Sequence, residues 1–312
     1  MIKHDCFTTN IFVQEGVPHI SSNKKSVLEM RRSRWYDLFN PTLMQADPFL
    51  FVKDNTLYLF YEDMGFSHGG GRIMMRYTTD LQKWSRPVEI THESDCHFSY
   101  PYVFDDNGEV YMMPETGREH EIRLYKAYNG NPADFRFYKK ILERPERERI
   151  ELKFDYADSC IYKKDGVYYL FTSYFKNDKY YLELYVSDSL DRNYKKHPMS
   201  PVCTGNKYGR CGGSLIDYEG HLYRVAQDCE NEYGGQIHLL EIEELTPTRF
   251  KEHLLKENVL PREIYKEGGH QLNFAYFKGK TIVATDIKYH CSFFLERVRL
   301  KLCRFLHIHG RK

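Results

Sequence analysis

The sequence predicts an all-β fold, a five-bladed β-propeller, from two features that repeat with a common period. The first is a hairpin aligned on a residue just past its turn: Tyr58, Tyr111, Tyr169, Tyr223 and Ile282, at intervals of 53, 58, 54 and 59 residues. A turn dipeptide precedes each of them: Asp54-Asn55, Asn107-Gly108, Asp165-Gly166, Glu219-Gly220 and Lys278-Gly279. Such dipeptides accept the positive φ angles that two-residue hairpin loops demand. The second feature is a polar corner ending in an aromatic: Asp80–Trp84, Asp134–Tyr138, then Tyr194 and Phe250, with the aromatics 54, 56 and 56 residues apart. Units of this length with several strands each are the pattern of propeller blades.

Length alone would suggest two domains for 312 residues, but the repeat leaves no room for a second large one. The 26 tyrosines and 20 phenylalanines suit sheet faces packed blade against blade. A net charge of +1 argues against nucleic acid as a partner. The first ten residues lack the apolar run of a signal peptide, and no stretch of about 18 apolar residues suggests a membrane span. Eight cysteines without a C-x-x-C pair read as reduced thiols. A cytoplasmic protein is expected, peripheral to the inner membrane if its tail touches lipid.

Residues 1–40 precede the first hairpin, and Asn10–Val13 is expected to close the ring as a strand of the last blade. Ser21–Arg34 carries five basic residues and reads as a surface loop or short helix. The propeller is expected over 41–289. Blade one takes strands near 48–52, 56–61, 72–78 and 86–90. Blades two to five span Tyr100–Leu142, Ala157–Tyr194, Gly212–Leu255 and Gly269–Ile287, with Pro145–Lys153 a solvated connection. The glycine-rich Gly65–Gly71 segment lacks the strand–loop–helix setting of a phosphate loop. The tail, 290–312, interleaves apolar residues with Arg297, Arg299, Lys301 and Arg304. Packing onto the propeller is the first expectation for it, and a basic amphipathic surface against anionic lipid the alternative.

The first strand of each propeller blade lines the central channel, so the residues that open those strands converge. They are Ala46-Asp47-Pro48, Ser99-Tyr100-Pro101, Ala157-Asp158-Ser159, Arg210-Cys211-Gly212-Gly213 and Gly268-Gly269-His270. A lone acid there would cap a turn. Asp47 and Asp158 at the same position of two blades point instead to a general base, or to groups that orient a sugar hydroxyl. Tyr100, Arg210 and His270 complete this ring as substrate-binding candidates. A second tier stands at the exits of the second strands: Glu62, Glu115, Arg224, Gln227 and Asp228, types suited to vicinal hydroxyls or phosphates. No metal-ligand motif appears, and the cofactor is left open.

These opening residues resemble the five-bladed propeller of glycoside hydrolase family 43, whose Asp-Leu-x-x-Trp corner matches Asp80–Trp84. The resemblance implies Asp47 as general base and Asp158 as the acid that orients the site and tunes pKa. It makes His270 the central histidine, able to help hold a metal ion or water on the axis. Blade four departs: the family's catalytic acid would fall at Arg210 or Cys211, and no carboxylate stands there. A closer resemblance covers nearly the whole chain. Ala46–Glu62, Ser99–Glu115 and Gly212–Gly235, with its Tyr223-Arg224-Val225-Ala226-Gln227-Asp228-Cys229 run, look like the N-terminal propeller module of glucosamine inositolphosphorylceramide transferases. Free-standing bacterial proteins similar to that module are associated with surface polysaccharide. The resemblance implies a glycosyltransferase of capsule or lipopolysaccharide assembly, with a sugar-nucleotide donor and a glycan or lipid-linked acceptor. Asp47 would deprotonate the acceptor hydroxyl and Arg210 would stabilise the departing diphosphate. A family-43-like glycosidase and a non-catalytic glycan-binding propeller are the alternatives.

Overall fold

The five turn dipeptides organise the chain: both residues of each have positive φ, from 46° at Asp54 to 83° at Gly108. These are primed turns, whose twist matches that of the flanking strands. The structure, a computed structural model, describes residues 3–16, 20, 26–30, 42–65, 70–91, 96–116, 119–152, 154–292, 298 and 302. Two strands come first, β1 (Lys3–Gln14) and β2 (Ser26–Glu29). The first repeat follows as β3 (Thr42–Lys53), β4 (Thr56–Gly65), β5 (Gly71–Thr78) and β6 (Val88–Glu89). The second comprises β7 (Ser99–Asp106), β8 (Glu109–Glu115), β9 (Glu121–Ala127) and β10 (Phe135–Glu143). The third holds β11 (Phe154–Lys164), β12 (Val167–Lys176), β13 (Lys179–Ser187), β14 (Lys195–Lys196) and β15 (Cys203–Thr204). The fourth is β16 (Ile216–Tyr218), β17 (His221–Asp228), β18 (Gln236–Leu245) and β19 (Phe250–Lys256), and the last is β20 (Leu272–Phe277) with β21 (Lys280–Ser292).

Each repeat is an antiparallel meander. The last repeat is completed by the start of the chain: β1 pairs antiparallel with β21 from Lys3↔Ser292 to Gln14↔Thr281. β1 also touches β3 through one parallel bridge, Thr8↔Gln45. The described residues therefore form four sheets, one of eight strands, because the first and last repeats fuse at that seam.

Side-chain alternation explains the long apolar runs. In β4, Leu57, Leu59 and Tyr61 pack with Ile11, Leu50 and Ile282, while Phe60 on the opposite face joins a separate core with Phe49, Met112 and Phe135. A sheet covered on both faces needs hydrophobic residues on both, which is why Leu57–Tyr61 does not alternate with polar residues. Pro145–Lys153, expected as a plain connection, contains one helical turn, α1 (Glu146–Arg149). Cys160, Cys203, Cys211 and Cys229 carry free thiols. Most of the 290–312 tail, most of Ser21–Arg34 and Phe66–Gly69 lie outside the described residues.

The first strands of the first three repeats share one irregularity. Their register shifts between Ala46 and Phe49, between Ser99 and Tyr102, and between Ala157 and Cys160. Within these shifts Asp47, Tyr100 and Asp158 have φ of 51°, 47° and 51°. A bulge of this kind turns a side chain away from the ordinary alternation of the strand.

Candidate active site

Asp47 is held from three sides. Its Oδ2 accepts the Tyr100 backbone N–H at 3.0 Å, its Oδ1 lies 3.2 Å from His270 Nε2, and its own N–H points at Asp286 Oδ2 at 3.4 Å. His270 bridges two acids, since its Nδ1 lies 2.6 Å from Asp286 Oδ2. That contact lacks hydrogen-bond alignment and acts as a charge pair. Asp286 Oδ1 also accepts the backbone N–H groups of His270 and Gln271, at 2.8 and 3.1 Å. Phe7 of β1 stacks on the imidazole at 3.9 Å, and Tyr233 meets it edge-on at 5.2 Å. Burial opposes a charge on His270, but Asp286 and Asp47 outweigh it and hold the imidazole well above its usual range. Burial likewise opposes a charge on Asp47. The hydrogen bond and charge of His270, with the Tyr100 N–H, prevail and keep it below the usual carboxylate range.

Asp158 forms the centre of a second group. Its Oδ2 accepts from Arg210 Nε and, at 2.6 Å, from Gln227 Nε2. Arg210 also donates to the Tyr180 hydroxyl at 3.0 Å, and its guanidinium carbon lies 5.1 Å from the Tyr233 ring centre. The Asp158 N–H donates to Glu115 Oε2 at 3.0 Å. Burial first, and then the Asp158 carboxyl, push Glu115 up to about 8. Glu62 is raised well above its usual value by burial and by Asp47, and one of its oxygens is buried without a hydrogen-bond partner. Tyr233 lies between the two groups: its ring contacts His270 and Arg210, and Asp158 and Asp47 both act electrostatically on its hydroxyl.

The structure thus brings together Asp47, Tyr100, Glu115, Asp158, Arg210, Gln227 and His270, but not every one faces a ligand. Tyr100 is fully buried, its hydroxyl spent on the Gly213 carbonyl at 2.8 Å, so it positions Asp47 through its backbone. Arg224 requires a correction: it is fully buried, forked onto Glu252 at 2.6 and 2.8 Å and donating to the Tyr208 carbonyl at 3.0 Å, so its charge is met inside the fold rather than by a substrate. Asp228 is also corrected. It holds His238 at 3.0 Å and the Glu230 N–H at 2.9 Å. The sequence reading missed Asp286, Tyr180, Tyr233 and Phe7. Asp286 had a signal, since it stands four residues past the aligned Ile282, as Glu62 and Glu115 stand past Tyr58 and Tyr111. Phe7 and the two tyrosines come from other strands and loops, with no period to mark them.

Ligand atoms of Asp47, His270 and Asp286 lie within 4.8 Å of one another, the spacing of a cation site. Within this group both acids raise the pKa of the imidazole against the effect of burial. In the other such group among the described residues, Asp5, Glu232 and His290, the Lys288 ammonium lies 2.7 Å from Glu232.

The fold has counterparts among solved structures. The chain superposes on a family 117 glycoside hydrolase of Zobellia galactanivorans with a TM-score of 0.56 at 10% identity, over 82% of this chain and 87% of that one. It superposes on an α-L-arabinanase of Cellvibrio cellulosa, complexed with arabinohexaose, with a TM-score of 0.53 at 15% identity, over 67% and 77% of the two chains. The fold is therefore that of the propeller hydrolases. More particularly, residues 33–268 match the family described as glucosamine inositolphosphorylceramide transferase 1, N-terminal, and the chain belongs to that family. It is 34% identical over 218 residues to glucosamine inositolphosphorylceramide transferase 1 of Arabidopsis thaliana, covering 68% of this chain and 27% of that one. The same named protein of Oryza sativa subsp. japonica is 34% identical over 220 residues, 68% of this chain and 28% of that one. The chain thus spans little more than a quarter of these relatives. The expected role in bacterial capsule or lipopolysaccharide assembly is corrected by this finding, because the relatives are plant proteins named for a ceramide acceptor, not a polysaccharide.

Proposed function

We propose that the chain is a glycosyltransferase-type enzyme that moves a sugar from a donor to a hydroxyl of a lipid-linked acceptor at the propeller axis. The observation that carries this reading is Asp47: an ionised carboxylate, gripped by His270 and the Tyr100 N–H, on a left-handed residue whose counterpart two repeats later is Asp158. A base so fixed can take the proton of an acceptor hydroxyl as its oxygen attacks the sugar. The names of the relatives suggest an amino sugar as the group moved and an inositol phospholipid as acceptor. Counting the eight-stranded sheet as two blades that meet at the Thr8–Gln45 bridge supports a five-bladed reading. Arg210, expected to receive a diphosphate, is engaged by Asp158 and Tyr180, so the donor is assigned only as a sugar donor by this reading.

The test is transfer to inositol-phospholipid vesicles from a panel of hexosamine donors, read by mass spectrometry. Asp47→Asn keeps the shape and the hydrogen-bond acceptor but cannot take a proton. It is expected to lose roughly 10²–10⁴-fold in turnover with its melting curve intact. Unchanged turnover would remove Asp47 from the mechanism. Hydrolysis of an aryl arabinofuranoside without transfer from any donor would replace the transferase with a glycosidase.

A further inference from the structure

We infer that Glu115 is the proton donor of the axial site, and that the donor substrate is a glycoside leaving as an alcohol rather than a nucleoside diphosphate sugar. This rests on the glycosyl-transfer reading above and adds to it the chemistry of the leaving group. A departing diphosphate is a weak base and leaves without a proton, provided cations meet its charge. An alkoxide is a strong base and needs an acid beside it. The axis is built for the second case. Both cationic groups at the axis already face acids: Arg210 pairs with Asp158 and donates to Tyr180, and His270 lies between Asp47 and Asp286. The position in the fourth repeat where an acid was expected has Arg210 and Cys211.

Glu115 supplies the missing acid from a different repeat. It ends β8 opposite Ser99, next to the bulged Tyr100, and reaches across to the third repeat, where its Oε2 accepts the Asp158 N–H at 3.0 Å. The charged and titratable groups that face it are Asp158, Arg210 with Nη2 at 4.0 Å, and Glu62 at longer range. Among the axial carboxyls it is the more open one, its side chain 13% exposed against 3% for Asp158 and 7% for Asp47. Glu62 is less suited: its side chain is 5% exposed, and a Cβ at Gly71 would fall 2.2 Å from its Oε1. Burial, and then the neighbouring Asp158 carboxyl, raise Glu115 to about 8, so the acid is loaded at neutral pH.

The step balances. The bond between the sugar C1 and the leaving oxygen breaks, and the Glu115 proton passes to that oxygen. The acceptor oxygen bonds to C1, and its proton passes to Asp47. Water returns the proton from Asp47 to Glu115, so no oxidant or further reactant is needed.

The experiment uses the full chain, inositol-phospholipid vesicles as acceptor, and three donors: an alkyl glucosaminide, a dinitrophenyl glucosaminide and a nucleoside diphosphate hexosamine. Wild type is expected to use the alkyl glycoside, with kcat falling on a basic limb near pH 8. Glu115→Gln, whose amide oxygen still accepts the Asp158 N–H, should lose roughly 10²–10⁴-fold with the alkyl donor. It should lose less than about tenfold with the dinitrophenyl donor, which leaves without a proton, and its basic limb should vanish. The carboxyl infrared band that titrates near pH 8 should disappear in the same variant. Equal losses with both glycosides, an unaltered alkyl rate, or a basic limb and band that survive in Glu115→Gln would overturn the inference. Transfer from the nucleotide donor alone would also overturn it while leaving the glycosyl-transfer reading intact. No turnover from any donor would remove both.

Discussion

At the scale of single residues, the axis sorts its carboxyls into opposite protonation states with little more than burial and neighbours. Asp47 pairs with a cation and stays ionised, and Glu115 faces another acid and keeps its proton. The two leave opposite marks on stability. A carboxyl whose folded pKa is depressed, as at Asp47, stabilises above its unfolded value, and this is lost as pH falls through the folded one. At Glu115 the folded value is raised to about 8 from an ordinary 4.5, so between those limits only the unfolded chain has released the proton. Stability then falls as pH rises, by up to about 1.4 kcal/mol per unit for such a group, and levels off beyond about 8. Urea unfolding of wild type and Glu115→Gln at pH 5, 7 and 9 isolates the effect. The variant should gain on the wild type from pH 5 to 8 and no further, and a constant difference would mean that Glu115 ionises normally.

At the scale of elements, what could be seen in the sequence followed from how local each signal was. The hairpins were visible because a two-residue turn is specified by its own dipeptide, and all five turned out to have positive φ at both positions. Asp47, Asp158 and His270 were visible because repeat alignment places them in or just before the first strands of their repeats. Arg224 was misplaced for a related reason. A polar residue within a second strand can face the axis or the neighbouring layer, and only the Glu252 partner decides between them. The segment carrying Tyr233 had no period at all, yet its geometry is tightly constrained. Gly234 has φ of 63°, and a Cβ there would lie 3.0 Å from both the His270 Cβ and the Phe7 ring. Gly234→Ala should therefore cost more than about 1 kcal/mol, through backbone strain and crowding together. It should also shift the imidazole resonances of His270. A melting curve and histidine resonances that match wild type would show that the segment can move aside freely.

At the scale of the whole molecule, the seam matters more than any blade. Ile11 of β1 is fully buried in the cluster that joins the first repeat to the last, with Leu57, Leu59 and Ile282 around it. Ile11→Ala is expected to cost about 2–5 kcal/mol. Because that cluster ties the first repeat to the last, unfolding should stay a single transition by circular dichroism and by tyrosine fluorescence. Two separated transitions would mean that the repeats melt as independent units. The fused sheet was not foreseen, since periodicity counts repeats but says nothing of how closely the first and last approach. That seam also sets a timetable. A ribosome releases β1 some 270 residues before its partner β21, so Phe7 can meet His270 only once that long intervening stretch has been made. Until then an apolar strand waits with its backbone unpaired, the situation in which nascent chains stick to one another. A nascent chain stalled before the last repeat can have folded hairpins, but it has no working axis.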